Sequence, residues 1–151
     1  MKNLFLIIML SVLSLAAKAQ FEKFETECLG IEGDGSQTLR AWGTGRNRAD
    51  AVEQAKKNAV YDVLFKGIRA GSGECNQKPL VPEVNARERY EEYFDLFFAD
   101  GGEYLNFVSA ADEKLFSKDK KKNGNGARFG VTVRVLRSEL RTQLKSDGVI
   151  K

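Results

Sequence analysis

Apolar residues recur along this chain at two spacings, and the switches from one to the other mark its elements. Residues 21–31, FEKFETECLGI, read as an extended segment with imperfect alternation, and EGDGSQ after it turns the chain, because Asp34-Gly35 supplies the positive φ of a tight hairpin. A second strand covers residues 38–45, with Leu39 and Ala41 on one face and Arg40 and Trp42 on the other. From residue 48 to residue 66 the period becomes helical: Ala51, Val52, Ala55, Ala59, Val60, Val63 and Leu64 fall three and four apart. Asn47 is placed to cap this helix, Asp50 stands where a capping box carries Glu, and Lys66-Gly67 suits its end. Three alanines on the buried side let such a helix lie close to a sheet.

Residues 69–82 form the chief irregular stretch. The pattern then predicts a second helix over residues 83–99, with Tyr90, Tyr93, Phe94, Phe97 and Phe98 on one side and Glu88, Glu91, Glu92 and Asp95 on the other. Residues 103–117 and 127–137 read as two more strands, the latter clearly, since Phe129, Val131, Val133 and Val135 alternate with Arg128, Thr132 and Arg134. Between them, Asn123-Gly124 and Asn125-Gly126 are hairpin signals. Ser138 is placed to cap a last short helix that turns Leu140 and Leu144 to the core and stops at Gly148. The order strand, strand, helix, helix, strand, strand, helix predicts an α+β two-layer domain: an antiparallel sheet of about four strands with the alanine-rich helix and one or two others on one face.

The N-terminus changes the picture of where this domain works. Residues 1–19 have the three parts of a secretory signal: early Lys2, an apolar run through Leu15, and Ala17-Lys18-Ala19 before Gln20. The run is too short and too serine-interrupted for a membrane span, and no cysteine follows the cleavage site to take a lipid. The expectation is a single domain over residues 20–151, exported to the periplasm or the cell surface, with no transmembrane segment. Loss of the signal removes Lys2 and Lys18, so 24 basic residues become 22 against 21 acidic ones, and no global charge draws the protein to nucleic acid or anionic lipid. There is no histidine, which excludes His-based triads and His-ligated metals or haem. Two cysteines, Cys28 and Cys75, read in an exported chain as a disulfide, which closes a 47-residue loop and is worth about 4 kcal/mol on the chain-entropy model; two buried thiols are the alternative. Neither version is catalytic, for there is no C-x-x-C and no histidine to make a thiolate.

Gly43-Thr44-Gly45-Arg46-Asn47-Arg48 approaches a dinucleotide fingerprint but has Arg48 in place of the third glycine, and the window for a ribose-binding acid holds Asp62, still inside the helix. No G-K-[ST] occurs. The stretch is read as a strand-to-helix hinge, and no cofactor or metal is expected. AWGTGRNRADAVEQAKKNAVYDVLFKGI, together with the closing VTVRVLRSELRTQLKSDGVIK, resembles a family of small bacterial envelope proteins that includes Helicobacter-type surface lipoproteins and the N-terminal domain of flagellar assembly protein T. The AKA-Q signal is similar to those of Bacteroidetes exports. The resemblance covers about half of the mature chain and implies an α+β fold, a role in envelope or surface assembly, and no catalytic residue to carry over. The chain departs from it by lacking a lipidation cysteine.

Three further groups bear on function. Lys118, Lys120, Lys121, Lys122 and Arg128 gather around the last hairpin, where they either keep a sheet edge solvated or hold the phosphates of a lipid or glycan; no aromatic lies in the loop to stack a base, so nucleic acid is not expected. Trp42, Tyr90 and Tyr93 are the candidates for a partner surface, although aromatic positions on the second helix serve first as core. Glu88, Glu91, Glu92 and Asp95 form a solvated helix face unless a cleft gathers them. The resulting expectation is a non-enzymatic exported envelope protein, an interaction or assembly module whose partner is another envelope protein. The alternatives are anionic lipid or glycan binding through the basic hairpin, or a small carboxylate-dependent hydrolase.

Overall fold

Hairpin, hinge and long helix form where the pattern puts them. The computed structural model describes residues 25–110, 120–123 and 126–151; residues 1–19, where a signal is expected, Lys118 and the hairpin residues 124–125 lie outside that range. Strand β1 (Glu27–Ile31) pairs antiparallel with β2 (Gln37–Gly45), and Gly35 closes their turn at φ 81°. Helix α1 (Arg48–Phe65) starts at Asn47, whose side-chain oxygen accepts the Asp50 N–H at 3.0 Å, and ends at Lys66, beyond which Gly67 takes φ 75°. Its buried side consists of Ala51, Ala55, Ala59, Val60, Val63 and Leu64.

The irregular stretch holds a strand too short to show any period. Ala70–Gly71 (β3) runs parallel to β1, so the sheet is mixed where an antiparallel one was expected. The Cys28–Cys75 disulfide fastens the segment after it, and the N–H groups of Leu80 and Val81 donate to the carbonyls of Val63 and Leu64, which satisfies the end of α1.

Two expected elements change type. In place of a helix over residues 83–99 there are two short ones, α2 (Ala86–Arg89) and α3 (Glu91–Phe97), because Asn85 sits at φ 64° and Tyr90 at φ −112°, ψ 36°. Packing sets that break: Phe94 and Phe97 are buried against Phe65 and Phe107, a constraint the helical period does not contain. In place of a strand from residue 103, Glu103–Phe107 forms a 3₁₀ turn and only Val108–Ala110 (β4) is extended. Tyr104 and Phe107 are both buried; a spacing of three brings them to one side of a 3₁₀ turn, whereas strand alternation would separate them. Residues 111–117 of the expected strand lie outside the described range.

β5 (Lys120–Asn123) and β6 (Gly126–Val135) form the last hairpin, and α4 (Arg137–Ser146) follows. Ser138 is not its cap. Leu136 holds that position, and no side chain caps the first turn. The described residues give six strands in the order β3-β1-β2-β6, with β4 and β5 both on the far edge of β6. The fold is α+β in two layers. Leu39, Ala41, Val131, Val133 and Val135 turn from the sheet toward α1 and the other helices, and Leu140 and Leu144 of α4 join the same core.

Candidate interaction face

The pleat that aims Leu39, Ala41 and Gly43 at α1 must aim Thr38, Arg40, Trp42 and Thr44 the other way. Pairing with β6 sets these residues opposite Arg134, Thr132, Gly130 and Arg128. Two rows of a sheet face result, polar and cationic at the ends with an indole in the middle. Trp42 stands opposite Gly130, which has no side chain to compete for the space and is itself buried. Trp42, Arg40, Arg128 and Arg134 are each half-buried, unlike the closed inner face.

Hydrogen bonds and ion pairs hold the cations in place. Arg128 Nε donates to Thr44 Oγ1 at 3.2 Å, and Arg40 lies 3.8 Å from the Glu27 carboxylate. Arg134 Nε donates to Ser36 Oγ at 2.7 Å and pairs through its other arm with Asp34. Ser36 in turn gives Asp34 both its hydroxyl (2.6 Å) and its N–H (2.9 Å), and these donors, with Arg134 beside them, hold the Asp34 carboxyl below the ordinary range. On the side of Trp42 away from β6, its carbonyl accepts from Asn58 Nδ2 at 2.8 Å. The adjoining depression, about 320 Å³, is shared with Tyr61 and Asp62 of α1.

The three aromatic candidates are not brought together. Trp42 belongs to the sheet; Tyr90 and Tyr93 are half-buried in the helical layer. The Tyr93 hydroxyl donates to Asp147 at 2.6 Å, and burial, reinforced by that carboxylate, pushes its phenol pKa up. Of the basic group, Lys121 pairs with Arg128 across the hairpin, while Lys120 and Lys122 pair with Phe129 and Ala127 at positions of the other parity. Among the acidic residues, Asp95 is engaged by Arg87, and Glu88, Glu91 and Glu92 border a depression of about 410 Å³ together with Arg89 and both tyrosines. All of its walls come from one local stretch of chain. Asp62, half-buried on α1, is already occupied by the Thr26 hydroxyl (2.6 Å) and Lys66 (2.9 Å).

The glycine-rich hinge has a packing role. A Cβ on Gly43 would lie 1.9 Å from the Ala51 carbonyl oxygen, and one on Gly45 would lie 2.5 Å from Asp50 Cβ. The helix therefore starts against the strand, with no space between them for a phosphate. Among the described residues there is no cluster of acidic or sulfur ligands able to hold a metal ion, and no helix is long and apolar enough to cross a membrane. Sequence reasoning missed the Asp34-Ser36-Arg134 network, which spans 98 to 100 residues, and the burial of Gln37. No protein-family model matches the chain, and no curated protein or solved structure matches it significantly.

Proposed function

We propose that the chain is an exported, non-enzymatic protein of the cell envelope, an interaction or assembly module that binds another envelope protein through the outer face of its sheet, opposite the helices. The observation that carries this reading is the one-sidedness of the sheet. Among the described residues the helices lie against one face, while the other carries half-buried Trp42 between arginines, residue types that supply much of the energy of protein interfaces. The Cys28–Cys75 bond supports export, since disulfides persist in oxidising compartments. Capture from envelope fractions with the tagged mature protein tests the proposal: a defined partner is retained by wild type, reduced at least tenfold by Trp42→Ala, and weakened by Arg40→Ala. Retention of the same partner by both variants, with circular dichroism unchanged, would reject the face.

A second reading rests on the last hairpin, where Lys121 stands directly opposite Arg128. A run of cations along one edge strand draws an anionic lipid or glycan. Neutralising Lys120, Lys121 and Lys122 together abolishes vesicle or glycan binding on this reading; unchanged binding at low salt removes it.

A further inference from the structure

At the end of the sheet remote from that hairpin, Gln37 opens β2 with its side chain on the inner face, 1% exposed, and among the described residues neither its Nε2 nor its Oε1 has a hydrogen-bond partner. A buried amide normally has both. Gln37 lies in the wall of a cavity of about 210 Å³, which it shares with Asn76, Leu80, Arg137, Ser138 and Arg141. The chain reaches this arrangement directly: β6 ends at Val135, the partner of Gln37, and α4 begins two residues later. The first turn of α4, uncapped by any side chain, therefore opens beside the amide. Gly35 of the β1–β2 turn closes over it so tightly that a Cβ there would lie 2.9 Å from Ser138 Oγ.

The electrostatics of the cavity favour an anion. Its charged walls, Arg137 and Arg141, are both cationic and one helical turn apart. Arg137 is half-buried and fixed by donating to the Lys78 carbonyl at 3.0 Å. Burial, together with the charge of Arg141, lowers its pKa. The helix N-terminus adds partial positive charge and free N–H groups. The carboxylates nearest in sequence are directed elsewhere: Asp34 to Ser36 and Arg134, and Glu32 to the Thr38 hydroxyl at 2.9 Å. Glu139, in the first turn of α4, is exposed and not part of the wall.

We propose that this cavity is a phosphate site, in which Arg137, Arg141, Ser138 and the first N–H groups of α4 hold the oxyanion and the Gln37 amide reads it. Gln37 selects the class of ligand. Its Nε2 donates to a phosphate oxygen and its Oε1 accepts from a hydroxyl. Inorganic phosphate carries a P–OH at neutral pH, and a phosphate ester with a neighbouring hydroxyl serves equally, whereas sulfate and carboxylates offer only acceptors. The ligand is either free phosphate or a phosphate ester on an envelope lipid.

The test is calorimetric titration of the mature protein with inorganic phosphate and with sulfate, and flotation with vesicles containing phosphatidic acid against pure phosphatidylcholine. Phosphate binds saturably and more tightly than sulfate. Arg141→Gln, an exposed position that leaves the fold intact, weakens binding about tenfold, and Gln37→Leu removes the preference over sulfate. Vesicle binding that depends on Arg141 identifies a lipid-borne source, and phosphate binding without vesicle binding a free one. The proposal is overturned if neither ligand form binds, if Arg141→Gln leaves all binding intact, or if only the triple lysine variant removes it. Because the site lies apart from Trp42, its failure leaves the partner-binding face untouched, and the converse holds.

Discussion

Tyr104 shows what one buried phenol contributes. Its ring is 1% exposed, its hydroxyl donates to Glu53 at 3.2 Å, and the Lys57 ammonium lies 5.5 Å from the ring centre. Burial first, and then the Glu53 charge, push its pKa from 10.0 up to about 12. The folded state thus keeps a proton that the unfolded chain begins to release near pH 10, so this contribution is complete below that pH and disappears as pH rises toward 12. Urea midpoints measured between pH 9 and about 12 will fall, and Tyr104→Phe will flatten part of that fall; an identical slope in the variant would contradict the assignment. None of this was legible in the sequence, where Tyr104 reads as a strand residue. Its burial depends on a 3₁₀ turn that only the surrounding core imposes.

At the scale of elements, the contact of α1 with β2 carries the fold, and small residues on both sides set its closeness. Ala51 and Ala55 of the helix meet Gly43 of the strand so closely that an added methyl would fall 1.9 Å from one backbone atom and 2.5 Å from another. Gly43→Ala is expected to destabilise by about 3 kcal/mol or more, since backbone has to move to admit it. Gly33→Ala, with nothing within 4 Å, changes stability by less than about 0.5 kcal/mol. Chemical denaturation of the pair reads the difference. Equal stability of the two variants would mean that helix and sheet are not packed as described. This element pair was legible because its signals agree: helical spacing, Asn47 as cap, and glycines where the strand ends. α2 and α3 were not, since five aromatic positions fit a straight helix as well as a broken one until Phe65 and Phe107 are in place. Residue preference alone makes Ser138 a cap, whereas the chain enters α4 two residues earlier, at Leu136.

For the molecule as a whole, the disulfide and the one-sided sheet join stability to use. Cys28 lies on β1 and Cys75 beyond β3, so the bond pins the sheet's edge strand pair to the loop that caps α1. Replacing both cysteines by serine should lower the unfolding free energy by about 4 kcal/mol, seen as a shifted urea midpoint; an unchanged midpoint would remove the bond from the account. The layer order was legible from the order of elements, and the pairing of the cysteines from their even number together with the expectation of export. The cavity around Gln37 was not, because nothing in a local pattern brings residues 37, 76 and 137 together. The central claim is that the outer face of the sheet, opposite the helices, meets a partner, and site-specific photo-cross-linking in growing cells tests it most directly. A cross-linker at Thr44 or Thr132 is predicted to give one discrete protein adduct that Trp42→Ala abolishes, while the same group at exposed Glu88 in the helical layer gives none. Adducts from Glu88 alone, or none from the sheet face, would contradict the account.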